Sequence, residues 1–260
     1  MKDIQNEKDM REIPINKVGI RGVEYPITVL DKQRKQQQTV AKINMFVDLP
    51  HHFRGTHMSR FIEILHQYQG ADFGGSYEEI LREMQRRFQA ENAHIEVSFP
   101  FFVEKEAPVS RQKGLMNYQC EFFADCFGSR YEFLLGVRVP VTSLCPCSKE
   151  ISDFGAHNQR GIIHLQVRYT DFIWIEDLIN IAENAASAPV YALLKRSDEK
   201  FVTEQAYLHP RFVEDIAREG ALALQELENI SAFQISVENM ESIHNHSAYA
   251  FIEKYKEEST

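Results

Sequence analysis

Residues 144–161 read LCPCSKEISDFGAHNQRG, setting Cys145 and Cys147 one residue apart and His157 ten residues past the second thiol. Such a set could serve as a redox pair, a metal grip or a nucleophile. The spacing C-P-C is neither the redox C-x-x-C nor one of the two knuckles a structural zinc site wants. By themselves these residues fit equally well as small groups in a tight loop. Near the C-terminus, MESIHNHSAYAF (240–251) places His244 and His246 two apart at the entry to a strand, where that spacing turns both rings to one face. Metal sites draw on such pairs, and exposed strand edges also carry inert ones. LLKRSDEKFVTEQAYLHPRFVED (193–215) reads as a charged connection, with Asp198, Glu199, Glu204 and Glu214 among Lys195, Arg196 and Lys200. A thiolate, neutral imidazoles and a carboxylate together would make a divalent-metal site with a position left for water, and water so held ionises near neutral pH. In HHFRGTHMSRF (51–61), Arg54 and Arg60 lie near a helix start, whose free N–H groups favour an anion. His51, His52 and His57 read equally as surface or subunit-contact residues.

These residues must be positioned by regular elements. Alternating apolar residues give strands at 18–30, 40–48, 95–103 and 118–127. Two helical patterns fall between the second and third. One starts at Ser59 with Phe61, Ile62 and Leu65 on one face. The other starts with a capping box of Ser76 and Glu79, followed by Ile80, Met84 and Phe88. The second half repeats the order: strands at 131–139 and 162–169, helices around Ile175, Leu178, Ile179 and Ala182 and after Pro210 with Phe212, Val213, Ile216 and Ala217, then strands at 233–237 and 248–252. Both halves read ββααββ, which predicts an α+β fold of two tandem modules, 18–128 and 129–260, with antiparallel sheets and helices on one face. Residues 1–17 are expected to form a flexible arm. The second module, expected to carry most of the active site, has an extra loop, 142–160, which holds both thiols and His157.

A chain of 260 residues with 43% apolar and 26% charged residues can bury a substantial core. A net charge of −9 argues against sequence-independent nucleic-acid binding. No run approaches the roughly 20 apolar residues that span a bilayer, and the start is polar, so a cytoplasmic protein with no membrane partner is expected. Four cysteines are too few for a disulfide scaffold.

FRGTHMSRF, PVTSLCPCSKEISDFGAHNQRG, LLKRSDEKFVTEQAYLHPRFVED and ESIHNHSAYAF, taken together and in this order, resemble the GTP cyclohydrolase family of type IB. The resemblance covers nearly the whole chain beyond the arm. It implies the tunnelling fold (T-fold), a homotetramer with active sites between subunits, and one divalent metal per site, zinc or manganese with iron as a further option. Residue by residue, it implies metal ligation by Cys145, His157, Glu199 and His244, with Cys145 of catalytic importance. Glu214 is similar to the carboxylate that anchors a guanine edge, since two acceptor oxygens match its N1–H and exocyclic amine. The implied reaction adds water at C8 of GTP, opens the imidazole ring, releases formate and closes 7,8-dihydroneopterin triphosphate, a step toward pterins and tetrahydrofolate. His246 is the candidate acid/base for its proton transfers. Cys147 is either a thiol behind the ligands or a plain loop residue. Lys149, Arg160, Lys195 and Arg196 are candidates for the triphosphate, with Arg54 or Arg60 from a neighbouring subunit.

Two other readings belong beside this one. A T-fold nitrile reductase of a deazaguanine would use a cysteine and a guanine-anchoring glutamate with NADPH and no metal. A non-catalytic interaction module would close zinc with Cys145, Cys147, His157 and a distant histidine, and would have no need of Glu199 and Glu214.

Overall fold

The computed structural model of the chain describes residue 5, residues 7–68 and residues 75–256. The chain divides into two compact units, Met1–Pro100 with Glu121–Leu134 and Phe101–Cys120 with Leu135–Thr260. A cut at residue 128 differs from this division because β3 (Asn92–Glu106) and β4 (Lys113–Phe127) form one long hairpin, whose turn end belongs to the second unit.

The first unit begins with a hairpin of β1 (Ile15–Asp31) and β2 (Lys35–Leu49), joined where Asp31 Oδ1 accepts the backbone N–H groups of Gln33 and Arg34 at 2.8 and 2.7 Å. An aspartate at that position stabilises a tight turn through such bonds. β2 pairs antiparallel with β3, and the alternation of Ile43, Met45 and Val47 against Ala93, Ile95 and Val97 gives one fully buried face. Helices α1 (Ser59–Gln67) and α2 (Tyr77–Phe88) follow β2, and α2 buries Ile80, Met84 and Phe88 as their spacing predicts.

The second unit has the strand order β5-β6-β8-β9, all antiparallel: β5 (Arg130–Leu144, in this unit from Leu135 on), β6 (Asn158–Tyr169), β8 (Ile230–Met240) and β9 (Ser247–Tyr255). Between them lie α3 (Pro146–Ile151), α4 (Ile175–Ala185), the short β7 (Ala188–Pro189), α5 (Arg196–Leu208) and α6 (Val213–Glu226). Val137, Val139 and Val141 of β5, Ile163, Leu165 and Val167 of β6 and Phe233, Ile235 and Val237 of β8 point to one buried face. α6 packs on β8 and α4 on β6, closing the core. At Gly220 of α6 an added Cβ would meet Ile235 Cδ1 at 2.5 Å, so the missing side chain sets how closely helix and strand approach.

Several expectations need correction. Segment 193–209 is not simply a charged connection, because it contains α5, which buries only Asp198 and Ala206 and so shows no apolar stripe. Loop 142–160 is shorter than expected: β5 runs to Leu144, α3 takes six residues and β6 starts at Asn158. Strands elsewhere also run further, since polar residues such as Lys35–Gln38 keep ladder pairing without an apolar face. Ser76 precedes α2 but makes no side-chain cap bond. Ile62 and Phe212 are exposed, and Ile64 takes the buried place expected of Ile62. In the arm, Arg54 N–H donates to Glu7 O and Gly55 N–H to Gln5 O, both at 3.1 Å, so this stretch is tied to residues 52–55. Residues 1–4 and 6 of that expected arm lie outside the described residues. Among the described residues no helix is long and apolar enough to cross a membrane.

Candidate active site

Four chain segments of the second unit meet at one end of its sheet: the close of β5, the start of β6, the close of β8 and the start of β9. Leu144 pairs with Asn158, and the next rung is a 3.1 Å bond from Cys145 N–H to His157 O, which sets the two residues side by side. Cys145 is the residue before α3 and has an extended backbone. Pro146 opens the helix, and Cys145 Sγ accepts the Ser148 N–H at 3.4 Å. The puzzle of C-P-C has a local answer: proline suits the first helical position and a side-chain acceptor suits the residue before it. Cys145 is half-buried and Cys147 exposed, and neither is in a disulfide.

His157 is half-buried. Its Nδ1 lies 2.9 Å from Gln159 Oε1 and 3.9 Å from Glu241 Oε2. Glu241, the acid that directly follows the end of β8, is not among the residues singled out by type in the sequence. His244 and His246 lie in the bend before β9 rather than on the strand, with rings stacked at 5.1 Å and 17°. They share a face through stacking in the bend and not through strand alternation. Both are exposed.

α5 brings Glu199 into its first turn beside Asp198, and α6 carries Glu214 in its first turn; both glutamates are exposed. The α5–α6 connection touches the thiol segment, because Arg211 N–H donates to Leu144 O at 3.0 Å. Lys149 Nζ donates to Tyr207 O at 2.6 Å and sits 4.3 Å from the centre of the Tyr207 ring, so this candidate phosphate ligand already holds the C-terminal turn of α5. Tyr207 lies eight residues beyond Glu199, about 12 Å along the helix axis at 1.5 Å per residue. Arg160, Lys195 and Arg196 are exposed. In the first unit, Arg60 and His57 line a cavity together with Arg87, while Arg54 pairs with Glu7 at 2.7 Å.

Among the described residues, no three His, Cys, Asp or Glu side chains of the single chain come close enough to hold a metal ion. The backbone bond sets Cys145 beside His157, and a thiolate and an imidazole are donor types that suit zinc and tolerate manganese or iron when carboxylates complete the set. Glu199 and the exposed His244 are not brought into that pair.

An antiparallel α+β chain of this order defines a T-fold protein. A crystal structure of uricase from Arthrobacter globiformis has the same fold, with a TM-score of 0.58 over 94% of this chain and 95% of that one at 9% identity. A Bacillus sp. TB-90 urate oxidase gives 0.55 over 94% and 99% at 10% identity. Within that fold, the family model described as type I GTP cyclohydrolase folE2 matches residues 1–250, and the chain belongs to this family. Proteins named GTP cyclohydrolase FolE2 are 58% identical over 257 residues in Geobacter sp. (strain M21), covering 99% of this chain and 96% of that protein, and 53% identical over 256 residues in Nitrosococcus oceani, covering 98% and 96%.

Proposed function

We propose that this chain is a GTP cyclohydrolase of type IB that opens the imidazole ring of GTP, releases formate and forms 7,8-dihydroneopterin triphosphate. The observation that carries the reading is the Cys145–His157 rung at the sheet end of a chain in this family. Cys145 and His157 would hold a divalent ion, with His244 and Glu199 completing the set. Such an ion supplies a nucleophile at neutral pH by acidifying water. Glu214, at the head of α6, would accept the guanine N1–H and amine in parallel and would repel adenine, which presents an acceptor at N1. His246, stacked on His244, would exchange protons as the ring opens and closes again. The family resemblance implies a homotetramer with sites between subunits, and that assembly is part of the proposal. Arg60 of one subunit, with Lys195 and Arg196 of another, would then meet the triphosphate. Four free thiols agree with a cytoplasmic, reducing setting.

The test is to incubate protein loaded with Mn²⁺ or Zn²⁺ with GTP, oxidise, and read pterin fluorescence and formate. Chelation and Cys145→Ala are expected to remove both signals while the fold stays intact. Formate release that survives in Cys145→Ala would sink the role given to the thiol. Dependence on NADPH in place of a metal would point to the nitrile reductase reading. Glu214→Ala should keep metal and lose GTP affinity.

A further inference from the structure

The buried face of β5, β6 and β8 is apolar for most of its length and then turns polar at the end nearest His157. There, Ser143 is 0%, Gln159 7% and Asn239 2% exposed. A polar trio at the edge of a core is costly unless its groups bond one another. Ser143 stands opposite Gln159 in the β5–β6 register, and Gln159 Nε2 donates to Ser143 Oγ at 2.8 Å. Asn239 Nδ2 donates to the same oxygen at 2.9 Å. Asn239 reaches it across β6 because its partner in the register there is Gly161: a Cβ on Gly161 would fall 2.5 Å from Asn239 Oδ1. With its amide nitrogen turned to Ser143, Gln159 presents Oε1 to His157 Nδ1 at 2.9 Å. A carbonyl oxygen only accepts, so in this amide orientation the imidazole donates there. The Glu241 carboxylate lies 3.9 Å from the same nitrogen.

We infer that Gln159, itself oriented by Ser143 and Asn239 across the space left by Gly161, is a positioning residue that keeps the His157 proton on Nδ1 and leaves Nε2 as the ligand nitrogen. The ligand part rests on the metal-site reading above; the tautomer part does not.

Metal-free full-length protein labelled with ¹⁵N-histidine, studied at a pH where the imidazoles are neutral, reports the tautomer from its nitrogen shifts, with His157 assigned through His157→Gln. The expected wild-type result is Nδ1–H alone. Gln159→Leu should give a mixture of tautomers and weaken Zn²⁺ binding, measured by chelator competition, by roughly 10- to 100-fold. Gln159→Glu, which keeps an acceptor and lets the Ser143 hydroxyl turn to donate, should retain both. A wild-type proton on Nε2 overturns the inference. An unchanged tautomer in Gln159→Leu overturns it too, because Glu241 would then be the group that sets the ring. A shifted tautomer with unchanged Zn²⁺ affinity upholds the positioning role and refutes His157 as a ligand.

Discussion

The Ser110 hydroxyl donates to Asp198 Oδ2 at 2.6 Å, tying the turn of the β3–β4 hairpin to the first turn of α5. The same carboxylate accepts the backbone N–H groups of Val109, Ser110 and Lys195, each at 2.8 Å, and is completely buried. One side chain therefore satisfies the free donors of a turn and of a helix start together. Since Glu199 is the next residue, the bond network also fixes where that glutamate is displayed.

Asp198→Ala should therefore lower thermal stability and, given the ligand role proposed for Glu199, reduce kcat/KM by at least about tenfold by displacing it, in the range found for groups that orient ligands. Ser110→Ala removes one bond of four and should have a smaller effect on both. Melting curves and GTP turnover check this pair, and equal losses in the two variants would contradict the shared-acceptor account.

Acid should act through the same group. Burial pushes the Asp198 carboxyl up, but bonds from Ser110, Lys195 and Val109 outweigh it and hold the group well below the usual carboxylate range. Glu83, bonded by Arg86 and Arg87, is held down to about 2. Both folded values are depressed, so their stabilisation is present above the ordinary values near pH 4 and is lost as pH falls through the folded ones. The melting temperature should fall from about pH 4 downward, and Asp198→Asn should flatten part of that slope. An identical pH slope in that variant would exclude Asp198 from the acid response.

How far the sequence reached depends on what holds each piece. Alternation in β2 (Ile43, Met45, Val47) and the four-residue spacing of α2 are set by burial against one face, which local pattern reports. α5 is held at its ends, by Asp198 and by Lys149 on Tyr207, so no apolar stripe announced it. Cys145 and His157 stood out by residue type. Ser143, Gln159 and Asn239 did not, because they are ordinary strand residues whose meeting requires the pairing of three strands distant in sequence.

Lys105 and Glu183 supply a stability test away from the candidate site. Lys105 Nζ lies 2.6 Å from Glu183 Oε1 and 2.9 Å from Val190 O, and the Tyr118 hydroxyl donates to the same glutamate at 2.8 Å. Burial pushes the Lys105 ammonium down, with Glu183 partly holding it up. Burial likewise pushes the Tyr118 phenol well above its ordinary value, so it remains a donor. Lys105→Met strands a charged Glu183 and should cost roughly 3–5 kcal/mol in urea unfolding. Lys105→Met/Glu183→Gln removes the stranded charge but keeps an acceptor for Tyr118, and should be more stable than the single variant. The reverse order would contradict the desolvation argument.

Two glycines should respond to alanine for different reasons. Gly19 of β1 pairs with Phe46, and a Cβ there would fall 1.9 Å from Met45 O, an atom of the neighbouring backbone that cannot move without parting the strands. Gly128 has φ +57° in the turn before β5 and nothing within 4 Å of an added Cβ, so only left-handed strain opposes substitution. Gly128→Ala should cost about 1–2 kcal/mol. Gly19→Ala should exceed the ~1–3 kcal/mol typical of overpacking, because backbone rather than a side-chain tip is in the way. Chemical denaturation of both variants measures the difference, and a Gly19→Ala protein as stable as Gly128→Ala would mean that β1 can shift its register past Met45 at little cost, as its existing irregularity between Ile20 and Val23 would permit.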